Sequence, residues 1–465
     1  MGPLAELVSG DFLSSGLFPG LDRIAGPLWR DGYNVIFENG GVRKDHGLLT
    51  LAQPAARPTG LKSTVAGTEP RLFVGAGDKA YRYRSSDGLT EIASFSSSGG
   101  VYQFVPWDTW AIISNGVDPV QLWQNAGLAA DITAPFTRAN TIFAYQLQVF
   151  AGGTDNGGAL VEWCQINRPD LTWVPALLNS AGNLRLRELR GDIVAAQPIG
   201  NSIGIYSASN AGLFSFIGGT AVYGFRKPIS GVGAISPYSV VSVGDKHYGI
   251  TRENAFVTDL VSYVNIDEPA MRNYLRDNAD WDRQTEVYGW PDWSNSMVRW
   301  AIPKQGGGVF GIGFRVDKGT WTKFDNSVVA GEESGAFTNM LQVTTGAIKR
   351  QNKLSPNNDT AALPSLLRSK PLELGSRKHY KRISKLSLDI EWTGDVEFKL
   401  GWSNHPNDAV TWLPAVPMAN EIFPDQLGLQ SELVFLSMQI ETTAIDADWK
   451  LSGGTIYGEL TGLVN

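Results

Sequence analysis

The sequence predicts an all-β protein: a β-propeller of about seven short-hairpin blades with one inserted helix, followed by a C-terminal antiparallel β-sandwich. Three observations predict it. One phrase, an alternating apolar run, a tight turn and a second such run, occurs seven times between Leu72 and Arg350. One segment alone has a helical pattern, and beyond residue 363 the alternating runs become longer. Hairpins that recur every few tens of residues are typical of propellers, because one small sheet cannot bury both of its faces alone.

The seven hairpins start near residues 71, 110, 147, 202, 246, 298 and 339. Their alternation is the pattern of half-buried strands, whose successive side chains point to opposite faces. Glycine, asparagine and aspartate stand where the chain must reverse, and these residues tolerate the backbone angles of tight turns. A β-sandwich with long hairpins is the alternative fold. The regular spacing and the count of seven favour the propeller.

The chain divides into three predicted parts. Residues 1–60 form a lead-in with the hairpin Tyr33 to Lys44, and a strand from this region could close the propeller. Residues 61–363 form the propeller, and residues 364–465 form the sandwich platform. The boundary is expected between Pro356 and Pro371, after a loop rich in polar residues.

The one convincing helix lies in NIDEPAMRNYLRDNADWDRQ. Asp267 is the predicted cap and Pro269 lies in the first turn, where its missing N–H costs nothing. Met271, Tyr274 and Leu275 form the apolar stripe. We expect this helix to pack on one face of the propeller.

Composition limits the possible functions of the 465-residue chain. The formal charge of −7 argues against a general affinity for phosphate backbones, which requires clustered Lys and Arg. The single cysteine, Cys164, excludes a disulfide within the chain and a cysteine-built metal site. Four scattered histidines show no metal or catalytic spacing, so we expect no metal, no cofactor and no enzyme activity. No apolar run approaches the roughly 20 residues of a membrane span.

Several phrases together resemble a known family. YNVIFENGGVRKDHG, GDIVAAQPIGNSIGIYSASNAGLFSF, GVGAISPYSVVSVGDKHYGITRENAFV and KPLELGSRKHYKRISKLSLDIEW resemble the tail nozzle proteins of short-tailed bacteriophages, also called tail tubular protein B or tail stabilisation protein. The resemblance covers most of the chain as a pattern of phrases. None of these phrases is a catalytic signature.

The resemblance implies a structural protein of the virion tail, made in the host cytoplasm and assembled as a homo-hexamer. It implies docking below the portal and its adaptor, with tail fibres or spikes as further partners. Double-stranded DNA would be retained and ejected through the resulting tube without specific binding. An acidic protein suits such a conduit, because each phosphate neutralised by Lys or Arg would add a contact that slows passage.

Two segments are candidates for subunit or adaptor contacts. The hairpin contributes Asn39, Arg43 and Lys44 near its tip. A basic run near the start of the sandwich, SRKHYKRISK, contributes Arg377, Lys378, Lys381, Arg382 and Lys385. Such a run could dock an acidic surface of a neighbouring subunit or touch DNA, and subunit contact is the stronger expectation. The alternative is a solvated strand edge, where lysine prevents unwanted pairing.

A receptor- or glycan-binding tail protein is the competing function, and a tail glycosidase is a weaker one. The tryptophans Trp290 and Trp293 in YGWPDWSN could stack on a sugar ring, although packing in the core is the simpler expectation. Neighbouring carboxylates such as Glu332 and Glu333 could serve glycoside hydrolysis, but a chain with 46 acidic residues offers such pairs by chance. The Asp-box turn of sialidases is matched only in part, by VDKGTW.

Overall fold

The structure, a computed structural model, describes residues 2–7, 17, 29–38, 40–219, 222–226, 228–325, 327–333, 337, 340–344, 346–374, 378–424 and 433–463. Over these residues the chain is all-β and consists mainly of antiparallel sheets. The described part has one α-helix, Pro269–Asn278, and two short 3-10 helices, Trp281–Glu286 and Trp293–Asn295. None of its helices has the length and apolar character needed to cross a membrane.

Seven four-stranded sheets follow one another along the middle of the chain. In pairing order they are sheet I (Pro58–Ala66, Glu69–Ala76, Lys79–Arg84, Gly88–Ser94), sheet II (Gln103–Trp107, Trp110–Ser114, Gln121–Trp123, Ala130–Asp131), sheet III (Ala139–Tyr145, Gln148–Thr154, Gly157–Trp163, Gly182–Arg185) and sheet IV (Ala195–Ile199, Ser202–Tyr206, Asn210–Phe216, Tyr223–Phe225). The others are sheet V (Val240–Val243, Lys246–Ile250, Ala255–Thr258, Tyr263–Asn265), sheet VI (Tyr288–Asp292, Met297–Pro303, Val309–Arg315, Thr320–Phe324) and sheet VII (Val328–Glu333, Met340–Thr344, Ile348–Asn352, Gly47–Ala52). Ile229–Ser230 adds a short fifth strand to sheet IV.

The first strands of the seven sheets contact one another in sequence, and the first strand of sheet VII contacts that of sheet I. The contacts therefore run in a closed circuit, which we call the sheet ring. All seven predicted hairpins are present as the second and third strands of the sheets. The sequence pattern missed most of the first and fourth strands.

Two further sheets contain the C-terminal region. Sheet A has the order Val35–Glu38, Gly41–Lys44, Asp448–Leu463, His379–Thr393, Glu421–Ile422, with Gly2–Leu7 also paired to Asp448–Leu463. Sheet B has the order Trp29–Tyr33, Ser365–Ser369, Phe435–Thr442, Glu397–Ser403, Thr411–Trp412, with Val416–Pro417 also paired to Glu397–Ser403. A separate two-stranded hairpin joins Asn357–Asn358 to Ala361–Ala362. Apolar side chains of sheets A and B belong to one buried core, which continues into sheets V and VI.

The strands of the lead-in are shared among three sheets. Trp29–Tyr33 pairs with Ser365–Ser369 in sheet B, and the hairpin lies at the edge of sheet A. Gly47–Ala52, the strand after the hairpin, pairs with Ile348–Asn352 and completes sheet VII. An N-terminal strand thus pairs with a strand about 300 positions later in the chain.

The helix Pro269–Asn278 lies within the predicted segment, but its predicted cap is wrong. Glu268 occupies the cap position and makes no capping bond with its side chain. The Asp267 carboxylate instead accepts a hydrogen bond from Arg272 Nε at 2.6 Å. Met271 and Leu275 are buried as predicted, and the Tyr274 ring contacts Phe310 edge to face.

A buried ion cluster joins the lead-in to sheets VI and VII. Arg299 lies on the second strand of sheet VI and donates from Nε to Asp292 Oδ2 at 2.7 Å and from an η nitrogen to Asp45 Oδ2 at 2.9 Å. Gln351 of sheet VII donates to the other Asp45 oxygen at 3.5 Å. All three charged groups are almost fully buried. Burial alone would raise the pKa of Asp45, but the Arg299 guanidinium holds it below its usual range.

Replacing Asp45 with Ala should lower the free energy of unfolding by about 3–5 kcal/mol, because Arg299 would keep its charge in a dry site with one partner missing. Denaturant unfolding followed by fluorescence measures the loss. Asp170→Ala, which removes an exposed ion pair with Arg168, is the matched control and should cost less than about 1 kcal/mol. Equal losses in the two variants would contradict a structural role for the buried cluster.

A buried histidine connects sheets IV and V. His247 Nδ1 lies 2.8 Å from the Tyr206 hydroxyl, and its Nε2 lies 2.8 Å from the Pro198 carbonyl. A carbonyl can only accept, so Nε2 carries the proton and Nδ1 accepts from Tyr206. Gly204 lacks a Cβ that would meet the imidazole at 2.7 Å. Burial lowers the pKa of His247 to about 4.

This histidine should make stability depend on pH. Between pH 6.5 and about 4 the unfolded chain binds a proton at His247 that the folded chain does not, so stability falls as the pH falls. The total loss is about 3 kcal/mol, since one pKa unit corresponds to about 1.4 kcal/mol. His247→Gln should remove this part of the pH dependence in unfolding experiments. The exposed His405→Gln should leave it in place.

Candidate functional site

The predicted hairpin contacts are largely engaged within the chain. Arg43 is bonded to Glu38, and its guanidinium also donates at 2.8 Å to Asn295 Oδ1, which lies between the first two strands of sheet VI. Lys44 is buried, and its ammonium donates to the Ala447 carbonyl at 2.6 Å. Burial lowers the pKa of Lys44 to about 8. Asn39 lies outside the described residues.

The predicted basic run contains both buried and exposed side chains. Lys381 is buried and donates from Nζ to the Val434 carbonyl at 2.7 Å, and burial lowers its pKa. Lys385 bonds Glu421, its neighbour in sheet A. Lys378 and Arg382 are exposed. Arg377 lies outside the described residues.

Both candidate segments belong to sheet A, on either side of the strand Asp448–Leu463. Arg43 pairs with Lys450, whereas Arg382 pairs with Glu459. Nine residues of extended strand separate these partners, so the two segments lie roughly 30 Å apart along the sheet. They do not form one contact patch. Among the described candidate residues, Lys378 and Arg382 have exposed side chains.

Two stacked tyrosines form hydrogen bonds across the sheet ring. The rings of Tyr238 and Tyr288 stack with centroids 4.0 Å apart. Tyr288 donates to the Leu61 carbonyl of sheet I, and Tyr238 donates to the Tyr102 carbonyl next to sheet II, each at 3.2 Å. Burial raises the pKa of both hydroxyls, so both remain neutral donors. These bonds link sheet VI to sheet I, and the segment before sheet V to the residue before sheet II.

A cavity of about 920 Å³ opens at the end of the ring where the first strands begin, and its lining is mainly apolar. Arg57 and Glu286 face each other there at 3.1 Å. A second cavity, of about 310 Å³, is lined by later residues of the first strands. Trp290, Trp293, Glu332 and Glu333 all line this second cavity. The ring therefore brings the two tryptophans close to the two glutamates, which lie about 40 positions later in the sequence.

Exposed apolar side chains form a surface along sheets III and IV. The Leu147 carbonyl accepts from Asn167 N, and Ile166 N donates to the Ser180 hydroxyl, which places residues 147, 166 and 180 side by side. The Tyr145 hydroxyl accepts from Phe216 N, which joins this region to sheet IV. We call the exposed members the III–IV apolar surface: Leu147, Ile166, Leu177, Leu178, Phe216 and Ile217.

Leu177 and Leu178 are the most exposed members of that surface, at 102% and 96%. They lie in the segment between the third and fourth strands of sheet III, next to a turn in which Asn179 Nδ2 donates to the Val174 carbonyl. Isolated exposed leucines are common, but contiguous apolar patches mark interaction sites. The sequence pattern gave no sign of this surface, because loop residues carry no periodic signal.

The residue types of common catalytic and metal sites are dispersed in the described part of the chain. No group of three metal-ligating side chains occurs among these residues. Cys164 is buried, as predicted, and burial raises the pKa of its thiol to about 11. In the partial Asp-box, Asp317 pairs with Arg315 and Trp321 is buried, so both residues stabilise sheet VI.

No family model matches the chain, and no curated protein is significantly similar to it.

Replacing the buried Lys381 with Ser should lower the free energy of unfolding by about 2–4 kcal/mol, because a cavity forms and the Val434 carbonyl loses its donor. Arg382→Ser, on the exposed side of the same strand, should change it by no more than about 0.5 kcal/mol. Thermal and denaturant unfolding of the two variants measure the difference. An unchanged free energy of unfolding in Lys381→Ser would contradict the structural role of Lys381.

Proposed function

We propose that this protein is a structural subunit of the tail of a short-tailed bacteriophage, a nozzle that assembles as a homo-hexamer below the portal and adaptor. The sheet ring is, in this proposal, a seven-bladed β-propeller closed by the strand Gly47–Ala52, and sheets A and B form a β-sandwich platform. The resemblance of the lead-in, the central phrases and the basic strand to nozzle proteins supports the assignment. The role is one of assembly rather than catalysis.

The observation that favours an assembly role is the III–IV apolar surface. Six exposed apolar side chains in or next to the neighbouring sheets III and IV would be costly in an isolated subunit, since each buried methylene contributes about 0.8 kcal/mol on removal from water. A ring of identical subunits needs a heterologous interface, in which one patch contacts a different patch on the next copy. We assign this surface to one side of that interface.

The DNA path, in this proposal, lies between subunits. Tyr238 and Tyr288 stack and bond across the sheet ring, so the proposal does not route a duplex through a single chain. The hexamer axis is then the conduit. The formal charge of −7 favours repulsion of the phosphate backbone over binding.

Light scattering of the purified chain, alone and mixed with the portal–adaptor complex, tests the assembly. We expect a species of six times the 50.4 kDa chain mass, either in the free protein or on the complex. Changing Leu177 and Leu178 together to Ser should shift the equilibrium to monomer and raise the dissociation constant on the order of a hundredfold, since each lost leucine contact contributes at least about 1.4 kcal/mol. Leu354→Ser, which changes an equally exposed leucine elsewhere, is the matched control.

A trimer, or a monomer that ignores the portal–adaptor complex, would contradict the nozzle. A hexamer that forms equally well from the Leu177→Ser, Leu178→Ser variant would retain the nozzle and remove the III–IV apolar surface from its interface.

A further inference from the structure

The smaller cavity of the sheet ring is lined by four aromatic residues, of which one is exposed. Tyr238, Tyr288 and Trp290 line it, and Trp290 is 4% exposed. Gly331 leaves room for the Trp290 ring, because a Cβ at this position would lie 2.4 Å from the indole. Trp293, in contrast, is 53% exposed at the cavity. An indole left in water beside a concave site can stack on a ligand ring.

Carboxylates and an amide supply polar groups beside these rings. Glu332 accepts from Lys62 Nζ at 2.6 Å and from Ser63 N at 2.5 Å. Glu333 accepts from Ser294 N at 3.1 Å and from the Ser294 hydroxyl at 2.7 Å. The side-chain amide of Gln197 also lines the cavity. An ionised carboxylate can accept about four hydrogen bonds, so both glutamates retain capacity for a ligand.

The directions of the two glutamates indicate binding rather than hydrolysis. Glu332 is bonded towards sheet I, whereas Glu333 is bonded towards the segment after the first strand of sheet VI. Both residues line the cavity, but their hydrogen bonds hold the two carboxylates towards different elements. Glycoside hydrolysis requires two carboxyl groups on either side of the scissile bond.

Charge and size restrict the ligand. Lys62 neutralises Glu332, and Lys353 lies near Glu333 because its ammonium donates to the Ser294 hydroxyl at 3.0 Å. The site therefore offers little net charge. Its volume of about 310 Å³ is near the lower limit for ligand pockets, roughly 300–1,000 Å³. A pyranose has an apolar face for stacking and hydroxyl groups that donate to carboxylates.

We propose that this cavity binds the terminal unit of a neutral saccharide. The sugar ring stacks on Trp293, and its hydroxyl groups donate to Glu333 and bond the Gln197 amide. This activity is independent of assembly into a tail. It belongs to the single folded chain, so it can be measured whether or not the nozzle proposal holds.

Saturation-transfer NMR of the full chain with D-glucose, D-galactose, D-mannose and N-acetyl-D-glucosamine tests the site. We expect at least one sugar to bind at millimolar concentration or tighter. Trp293→Ala should weaken that sugar about tenfold, the effect of about 1.4 kcal/mol of lost stacking. Glu333→Gln should weaken it by a similar factor, because a hydroxyl donor then meets a neutral acceptor.

Two controls separate the site from nonspecific contact. Trp392→Ala removes an exposed tryptophan of sheet A, and Glu286→Gln changes the larger cavity of the ring. Neither should affect sugar binding. Since Trp293 is exposed, its variant should unfold at the same temperature as the original chain, which thermal unfolding checks.

Three results would overturn the proposal. The first is that none of the four sugars binds, and the second is that binding is unchanged in Trp293→Ala. The third is that tetramethylammonium binds and displaces the sugars, which would make the cavity an aromatic cage for a cation.

Discussion

The ion cluster around Arg299 is the constraint on which the architecture depends. Its guanidinium is held by Asp292 from its own sheet and by Asp45 from the lead-in, and it lies 3.9 Å from the centre of the Phe324 ring. Asp45 is followed two residues later by the strand that completes sheet VII. Because a buried charge without its partners costs several kcal/mol, the cluster forms only when the lead-in is in place.

The four residues from Lys44 to Gly47 therefore connect the two halves of the molecule. Lys44 bonds the Ala447 carbonyl at the start of the long last strand of sheet A, and Asp45 bonds sheet VI. Gly47 approaches the Asn357 backbone so closely that a Cβ would lie 1.8 Å from its carbonyl oxygen. The same short segment thus contributes both to closure of sheet VII and to attachment of sheet A. A displaced lead-in would disturb both.

Sequence periodicity predicted the parts of the fold that are local. The hairpins could be predicted because both strands and the turn lie within about 15 residues, as in RLFVGAGDKAYRY. Several outer strands, such as Ala130–Asp131, are too short to show alternation. The pairing of Gly47–Ala52 with Ile348–Asn352 depends on closure of the whole ring, and no local pattern encodes it.

The candidate contact residues show the same limit. Lys44 and Lys381 have the sequence context of surface lysines, yet carbonyl groups from distant segments bind their ammonium groups inside the protein. The cavity residues Trp293 and Glu333 are each unremarkable along the chain. Their proximity results from the contact between the first strands of sheets VI and VII.

Burial of lysines also changes the surface charge. An ammonium group enclosed by protein contributes little to the field that a nearby polyanion experiences, while exposed carboxylates contribute fully. Among the described residues, seven buried Lys and Arg side chains outnumber four buried Asp and Glu side chains, so the accessible surface is more acidic than the formal charge of −7 indicates. Two lysines of the candidate contact segments thus stabilise the region of sheets A and B. In the proposed nozzle this leaves the conduit repulsive towards DNA, so that the duplex can slide past a protein that does not bind it.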